Sequence, residues 1–322
     1  MNDQEFLNRS DDWLKYAIRL NLRNEPESSI ADLKSAALKD DRIQSCLADV
    51  ARLHDRQITN HKDPLLPIHR LLFLLDLGFG MDIPQIKAAV QEILKHRDER
   101  GVYQSLINVP QHFGGSGEGR FCWCLCDAPL LLLALLKAGV DYDEFIRPGV
   151  NHLASLCREN GFPCAASPEL GKFRGPGKKD DCCPYATLIM ANLLSYLPEY
   201  RDSAAAVASV TALLNLWEHS REQHPYLFYM GTDFRKLKVP SSWYDIVGVA
   251  DVLSKYEFAR NDLRFLEMIA LIRSNQDADG YFTPESVYQK LKEWDFGQKK
   301  VASPYLTYLC LRIFGRLEQA PC

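Results

Sequence analysis

Seven of the ten cysteines, Cys122, Cys124, Cys126, Cys157, Cys164, Cys182 and Cys183, fall within 62 consecutive residues, with Asp127, Asp180 and Asp181 beside them. Thiolates and carboxylates at this density suit a metal, and zinc takes its four ligands from Cys, His and Asp. Cys126, Asp181, Cys182 and Cys183 are the expected metal ligands, with zinc as the expected cofactor. The spacing Cys122-x-Cys124-x-Cys126 is not that of a Cys-x-x-Cys knuckle, and Cys182 and Cys183 would diverge by about 100° on a helix. An iron–sulfur cluster needs four convergent thiolates, and no ferredoxin-type spacing occurs. A single buried cysteine also packs well as a small hydrophobe.

Composition narrows the field. The 38 Lys+Arg against 42 Asp+Glu leave a formal net charge of −4, so no basic excess exists to neutralise a nucleic-acid backbone. The longest apolar run, residues 129–138, is far short of the roughly 20 residues that span a bilayer. The polar, acidic opening MNDQEFLNRSDD is unlike a secretory or transit segment, so a cytoplasmic protein with reduced cysteines is expected. No Walker-type loop, dinucleotide fingerprint or G-x-S-x-G occurs.

These groups must be positioned by something, and the chain repeats with a period near 60. Five segments pass from a polar stretch through a proline or aromatic start into an apolar helix. Taking Pro64, Pro129, Pro184, Tyr244 and Pro304 as equivalent gives steps of 65, 55, 60 and 60 residues. The helices that follow are apolar nearly all round and so belong inside. Between them, residues 84–96, 143–157, 203–219 and 262–274 alternate as amphipathic outer helices. No alternation persists long enough to demand a sheet, so an all-α, repeat-built domain over residues 1–322 is expected, with residues 1–60 supplying N-terminal helices. Parallel inner helices bring their N-termini to one mouth. There stand Asp63, Cys126, Asp127, Asp180, Asp181, Cys182, Cys183, Trp243, Tyr244, Asp245 and Ser303. Asp63, Asp127 and Ser303 are also ordinary helix caps.

Gln276-Asp277-Ala278-Asp279-Gly280-Tyr281-Phe282 resembles the Q-x-x-x-G-x-W/F motif of the squalene cyclase and protein prenyltransferase repeats. Residues 97–103 and 157–163 keep only its glycine. Pro176-Gly177-Lys178-Lys179-Asp180-Asp181-Cys182-Cys183 resembles the P-G-K-x-x-D-x-Y-H stretch of prenyltransferase β subunits, whose Asp and His ligate zinc. Asp181 falls on that Asp, but Pro184 stands at the His position. The resemblance spans roughly residues 60–315 and implies an α/α toroid of five to six helical pairs around a central cavity. It further implies an acid held protonated in that cavity, by burial and like charge, for donation to an alkene. The first acid of the corresponding D-x-D-D is absent here.

The expected activity is therefore that of a terpene cyclase or prenyltransferase acting on an apolar, isoprenoid-like small molecule. Asp180, Asp181, Asp127 and Asp245 are the candidate catalytic carboxylates. Tyr185, Trp243, Tyr244, Tyr305 and His112 are candidate substrate-binding residues, the aromatics offering π faces to a cation. Lys172, Arg174, Lys178 and Lys179, with Arg235, Lys236 and Lys238, form a candidate anion rim. Two alternatives stand beside this reading: a metal- or ligand-binding toroid without cyclase activity, and a helical-repeat interaction scaffold.

Overall fold

Proline stands in the first turn of most of the inner helices, where its missing N–H would have no partner anyway. In the computed structural model, which describes residues 3–171, 180–222 and 234–318, the N-terminal segment folds as α1 (Asp3–Asn8), α2 (Asp12–Asn21), α3 (Ala31–Ala37) and α4 (Asp41–Val50). Then come α5 (Pro67–Leu77), α6 (Pro84–Lys95), α7 (Ala128–Lys137), α8 (Arg147–Ala154), α9 (Pro184–Ser195), α10 (Ala204–Glu218), α11 (Ile246–Leu253), α12 (Leu263–Ser274) and α13 (Pro304–Glu318). The protein is thus mainly helical. Among the described residues, no helix is long and apolar enough to cross a membrane.

Three local departures from expectation have simple causes. α5 starts at Pro67, not Pro64, because Asp63 Oδ1 accepts the Leu65 N–H at 3.1 Å and Leu66 is extended. The outer helix expected over residues 143–157 is α8 preceded by a π turn at Tyr142–Ile146. A small antiparallel hairpin, β1 (Ser105–Asn108) with β2 (Gly119–Cys122), stands where no sheet was expected. Four residues per strand are too few for an alternation to register.

The chain α5–α7–α9–α11–α13 is one of successive packing contacts; α13 also packs on α2, and α2 on α5. A second layer covers these helices: α4 on α5, α6 and α8 on α7, α10 on α9, and α12 on α11. α9 and α11 bury nearly every side chain, as expected for helices covered on most sides.

The repeat has an atomic counterpart. The Phe162 N–H donates to Thr187 Oγ1 at 3.0 Å and the Phe282 N–H to Thr307 Oγ1 at 3.1 Å. In return, the Cys183 and Ser303 N–H groups donate to the carbonyls of Phe162 and Phe282. Each glycine turn is thereby tied to the first turn of the following inner helix. Gly101, Gly161 and Gly280 all adopt left-handed backbone, with φ of +84°, +103° and +93°, a region that favours glycine. Residues 97–103 keep more than a glycine: Asp98 Oδ1 accepts from Arg100 and Val102, as Asp277 Oδ1 does from Asp279 and Tyr281.

A cavity of about 140 Å³ lies between α5, α7, α9, α11 and α13. Helix starts contribute His69, Tyr185 and Tyr305; later turns contribute Asp76, Asp251 and Arg312.

Candidate metal centre

β2 ends at Cys122 and α7 begins at Ala128, so Cys124, Cys126 and Asp127 occupy the short turn between them. Asp127 sits at the N-cap position but makes no capping bond. Its Oδ1 turns back to accept the Cys124 N–H at 2.9 Å and the Cys124 thiol at 3.1 Å. The residue is 1% exposed, and Oδ2 is buried with no hydrogen-bond partner among the described residues. An unmatched carboxylate oxygen in the interior is costly and calls for an explanation.

His61 approaches from the loop before α5. Its Nε2 lies 3.4 Å from Cys124 Sγ, and its carbonyl oxygen meets His69 Nε2 at 3.1 Å. The ligand atoms of His61, Cys124 and Asp127 all lie within 4.8 Å of one another. Tetrahedral zinc with these donors has ligand–ligand edges of about 3.5 Å, so the observed edges fit. Cys126 and Cys183 are close enough to shift one another's thiols, and Cys126 also acts on Cys124, but neither belongs to this ligand grouping.

Electrostatics point the same way. The hydrogen bond from Cys126 favours a Cys124 thiolate, but burial and Asp127 outweigh it and push the thiol up to about 12. Cys183 is raised first by its bond to Cys126 and then by burial, and Cys126 by its bond to Cys124 more than Cys183 relieves it. Burial lowers His61, leaving the neutral imidazole that ligates metals.

The residues expected at the site divide. Asp127 joins His61 and Cys124, whereas Cys126, Asp181, Cys182 and Cys183, the expected ligands, belong to neither metal-type grouping among the described residues. Cys183 is extended at the start of α9, not helical, so it and Cys182 point apart; Asp180 is exposed. His112 is exposed on the hairpin loop and is outside both groupings. Tyr185 and Tyr305 line the cavity, Trp243 stacks on Tyr185 at 4.1 Å, and Tyr244 stacks instead on Phe234. Lys172, Arg174, Lys178 and Lys179 lie outside the described residues. Of the remaining anion-rim residues, Arg235 covers Trp217 and Lys238 covers Tyr288. His61 was not singled out from sequence, though it stands two residues before Asp63, at the start of the first repeat.

Asp245 is different. It caps α11, with Oδ1 accepting from Gly248 N–H at 2.8 Å and Ser241 Oγ at 3.2 Å, while Oδ2 is buried without a partner. Burial pushes its carboxyl up to about 6. A raised acid contributes its stability below the ordinary carboxylate range, and that stability is lost as pH climbs through about 6. Ionising Asp245 at pH 8 therefore costs about 3 kcal/mol. Asp245→Asn keeps the acceptor for Gly248, so its melting temperature is expected to exceed wild type at pH 8 and to match it at pH 4. Parallel melting curves across that range would refute the assignment.

The chain matches no protein-family model, no curated protein and no solved structure.

Proposed function

We propose that the chain is an α/α toroid with α2, α5, α7, α9, α11 and α13 as its inner ring, and that it binds zinc at the mouth of the central cavity to act on a small apolar molecule held there. His61, Cys124 and Asp127 hold the ion and leave its fourth position open. The observation that carries this reading is the buried, unpartnered Oδ2 of Asp127 beside a thiol and an imidazole at ligand spacing. When bound, zinc supplies Lewis acidity that makes a coordinated thiol or water ionise near neutral pH.

The protein's own groups do the rest. His69 fixes the His61 backbone through its carbonyl, and Asp127 orients Cys124 through both the amide and the thiol. Tyr185, stacked on Trp243, lines the cavity and offers its occupant an apolar wall. A volume near 140 Å³ is below the roughly 300–1,000 Å³ of pockets for drug-sized ligands. The ligand is accordingly small, or enters only by its apolar end. The resemblance to terpene cyclases and prenyltransferases supports the fold and the apolar substrate class.

One observation favours a second reading, acid-initiated cyclisation. Asp245 is an acid that burial keeps protonated, and its partners Ser241 and Gly248 line the cavity. Elemental analysis of freshly purified protein, with mass spectrometry of any co-purified ligand, separates the two. Stoichiometric zinc is expected; metal-free protein with a lipid-filled cavity would reverse the choice.

A further inference from the structure

A second cluster of ligating side chains shares no residue with the thiol site. Glu92 and His96 are four residues apart, on one face of the end of α6, so their side chains meet. His54 approaches from the turn after α4. One carboxylate oxygen, Glu92 Oε1, lies 3.0 Å from His96 Nε2 and 3.5 Å from His54 Nδ1. The three ligand atoms lie within 4.8 Å of one another. Ligands at zinc–nitrogen and zinc–oxygen distances of 2.0–2.1 Å have tetrahedral edges of ~3.4 Å, and the two measured edges bracket that value.

Both rings are held in place by packing. His96 stacks on Phe121 of β2 with centroids 3.7 Å apart and planes within 3°, while His54 meets the same ring edge-on at 5.2 Å. The His54 side chain is only 8% exposed. Its hydrogen bond to Glu92 is long, and its Nε2 has no partner among the described residues. A buried imidazole so poorly served by hydrogen bonds gains much from a cation at Nδ1. The other carboxylate oxygen, Oε2, is taken by Lys95 at 2.8 Å, which leaves Oε1 to the histidines. Glu92 and His96 stay partly open, at 31% and 24%, so a fourth position faces water.

We propose that His54, Glu92 and His96 form a second, open divalent-metal site of the two-histidine, one-carboxylate type, for zinc or a similar first-row ion. Two nitrogens and one oxygen suit such ions, and three protein ligands with a water in the fourth position is the arrangement of hydrolytic zinc centres. The site shares no ligand with the thiol cluster and stands or falls independently of it.

Titration of metal-free full-length protein with Co(II), followed by calorimetry and absorption, tests this. Wild type is expected to bind two equivalents, one with a sulfur-to-cobalt charge-transfer band and one without. His96→Ala and Glu92→Gln should each lose the equivalent that lacks the band, and persistence of the band reports an intact fold. Cys124→Ser should do the reverse. A single banded equivalent in wild type, unchanged in Glu92→Gln, would overturn the second site and leave the zinc–thiol centre standing. A single band-less equivalent, lost in Glu92→Gln, would support the second site and remove the first.

Discussion

Replacing Cys124 with serine is expected to cost the protein one equivalent of metal while leaving the metal-free fold nearly unchanged. Cys124 Sγ lies 3.4 Å from His61 and 3.1 Å from Asp127, so it links the imidazole to the carboxylate. A serine hydroxyl preserves the donation to Asp127 but does not ionise at working pH, and it ligates poorly. Wild type gains stability from any ion that binds only the folded state, about 4 kcal/mol at a thousandfold excess over Kd. A chelator should therefore lower the wild-type melting temperature well below its metal-loaded value, and should produce a smaller fall in the variant. The affinity should also be steeply pH-dependent. The Cys124 thiol is raised to about 12 without metal, so binding must displace its proton. With one thiol proton released per ion, affinity falls by up to about tenfold per unit of acidification. Equal metal content in variant and wild type would end the assignment.

Why this cluster was only half visible follows from its construction. Cysteine density points to residues 122–183, and within them Cys124 and Asp127 do meet. The partner that makes the cluster a ligand set is His61, 63 residues before Cys124. No local spacing links them; only the packing of α5 on α7 does. Asp127 has the residue type and position of an ordinary cap, yet its carboxylate turns back to Cys124 instead. The inner helices, in contrast, were legible because full burial leaves an unmistakable apolar run, as in Pro129–Leu135. The hairpin was not, because its four-residue strands take their stability from Ile58 and the surrounding core. His54, Glu92 and His96 escaped notice for the same reason as His61. Two of the three share a helix, but the third arrives from a turn that has no periodicity of its own.

At the other end of the cavity, Asp251→Asn is expected to destabilise the protein by about 3 kcal/mol, or roughly 5–10 °C in melting temperature. Asp251 takes Lys255 at 2.9 Å, Arg316 at 2.8 Å and Arg312 at 3.4 Å, with its own side chain 21% exposed. These contacts tie α11 to α13, and Lys255 reaches on to Asn192 of α9 at 2.6 Å. The asparagine leaves three cations, each at most 23% exposed, without the carboxylate they share, with Asp76 the remaining counter-charge near Arg312 and Lys255. Removing one partner of a largely buried pair costs more than the pair was worth, because the remaining charge is still desolvated. Arg316→Met should accordingly cost less, since Asp251 keeps two partners. Burial pushes the Asp251 carboxyl up, but Lys255, Arg316 and Arg312 outweigh it and hold it well below the ordinary carboxylate range. A depressed acid contributes its stability above the ordinary range and loses it as pH falls through its own, lower value. The gap between wild type and Asp251→Asn should thus be full at pH 6 and close only in strong acid. A gap that closed near pH 5 would show that the carboxylate is not held by this network. Because Asp251 and Arg312 also line the cavity, the same variant should alter whatever binds there, and it links the stability of the inner helices to the occupant they enclose.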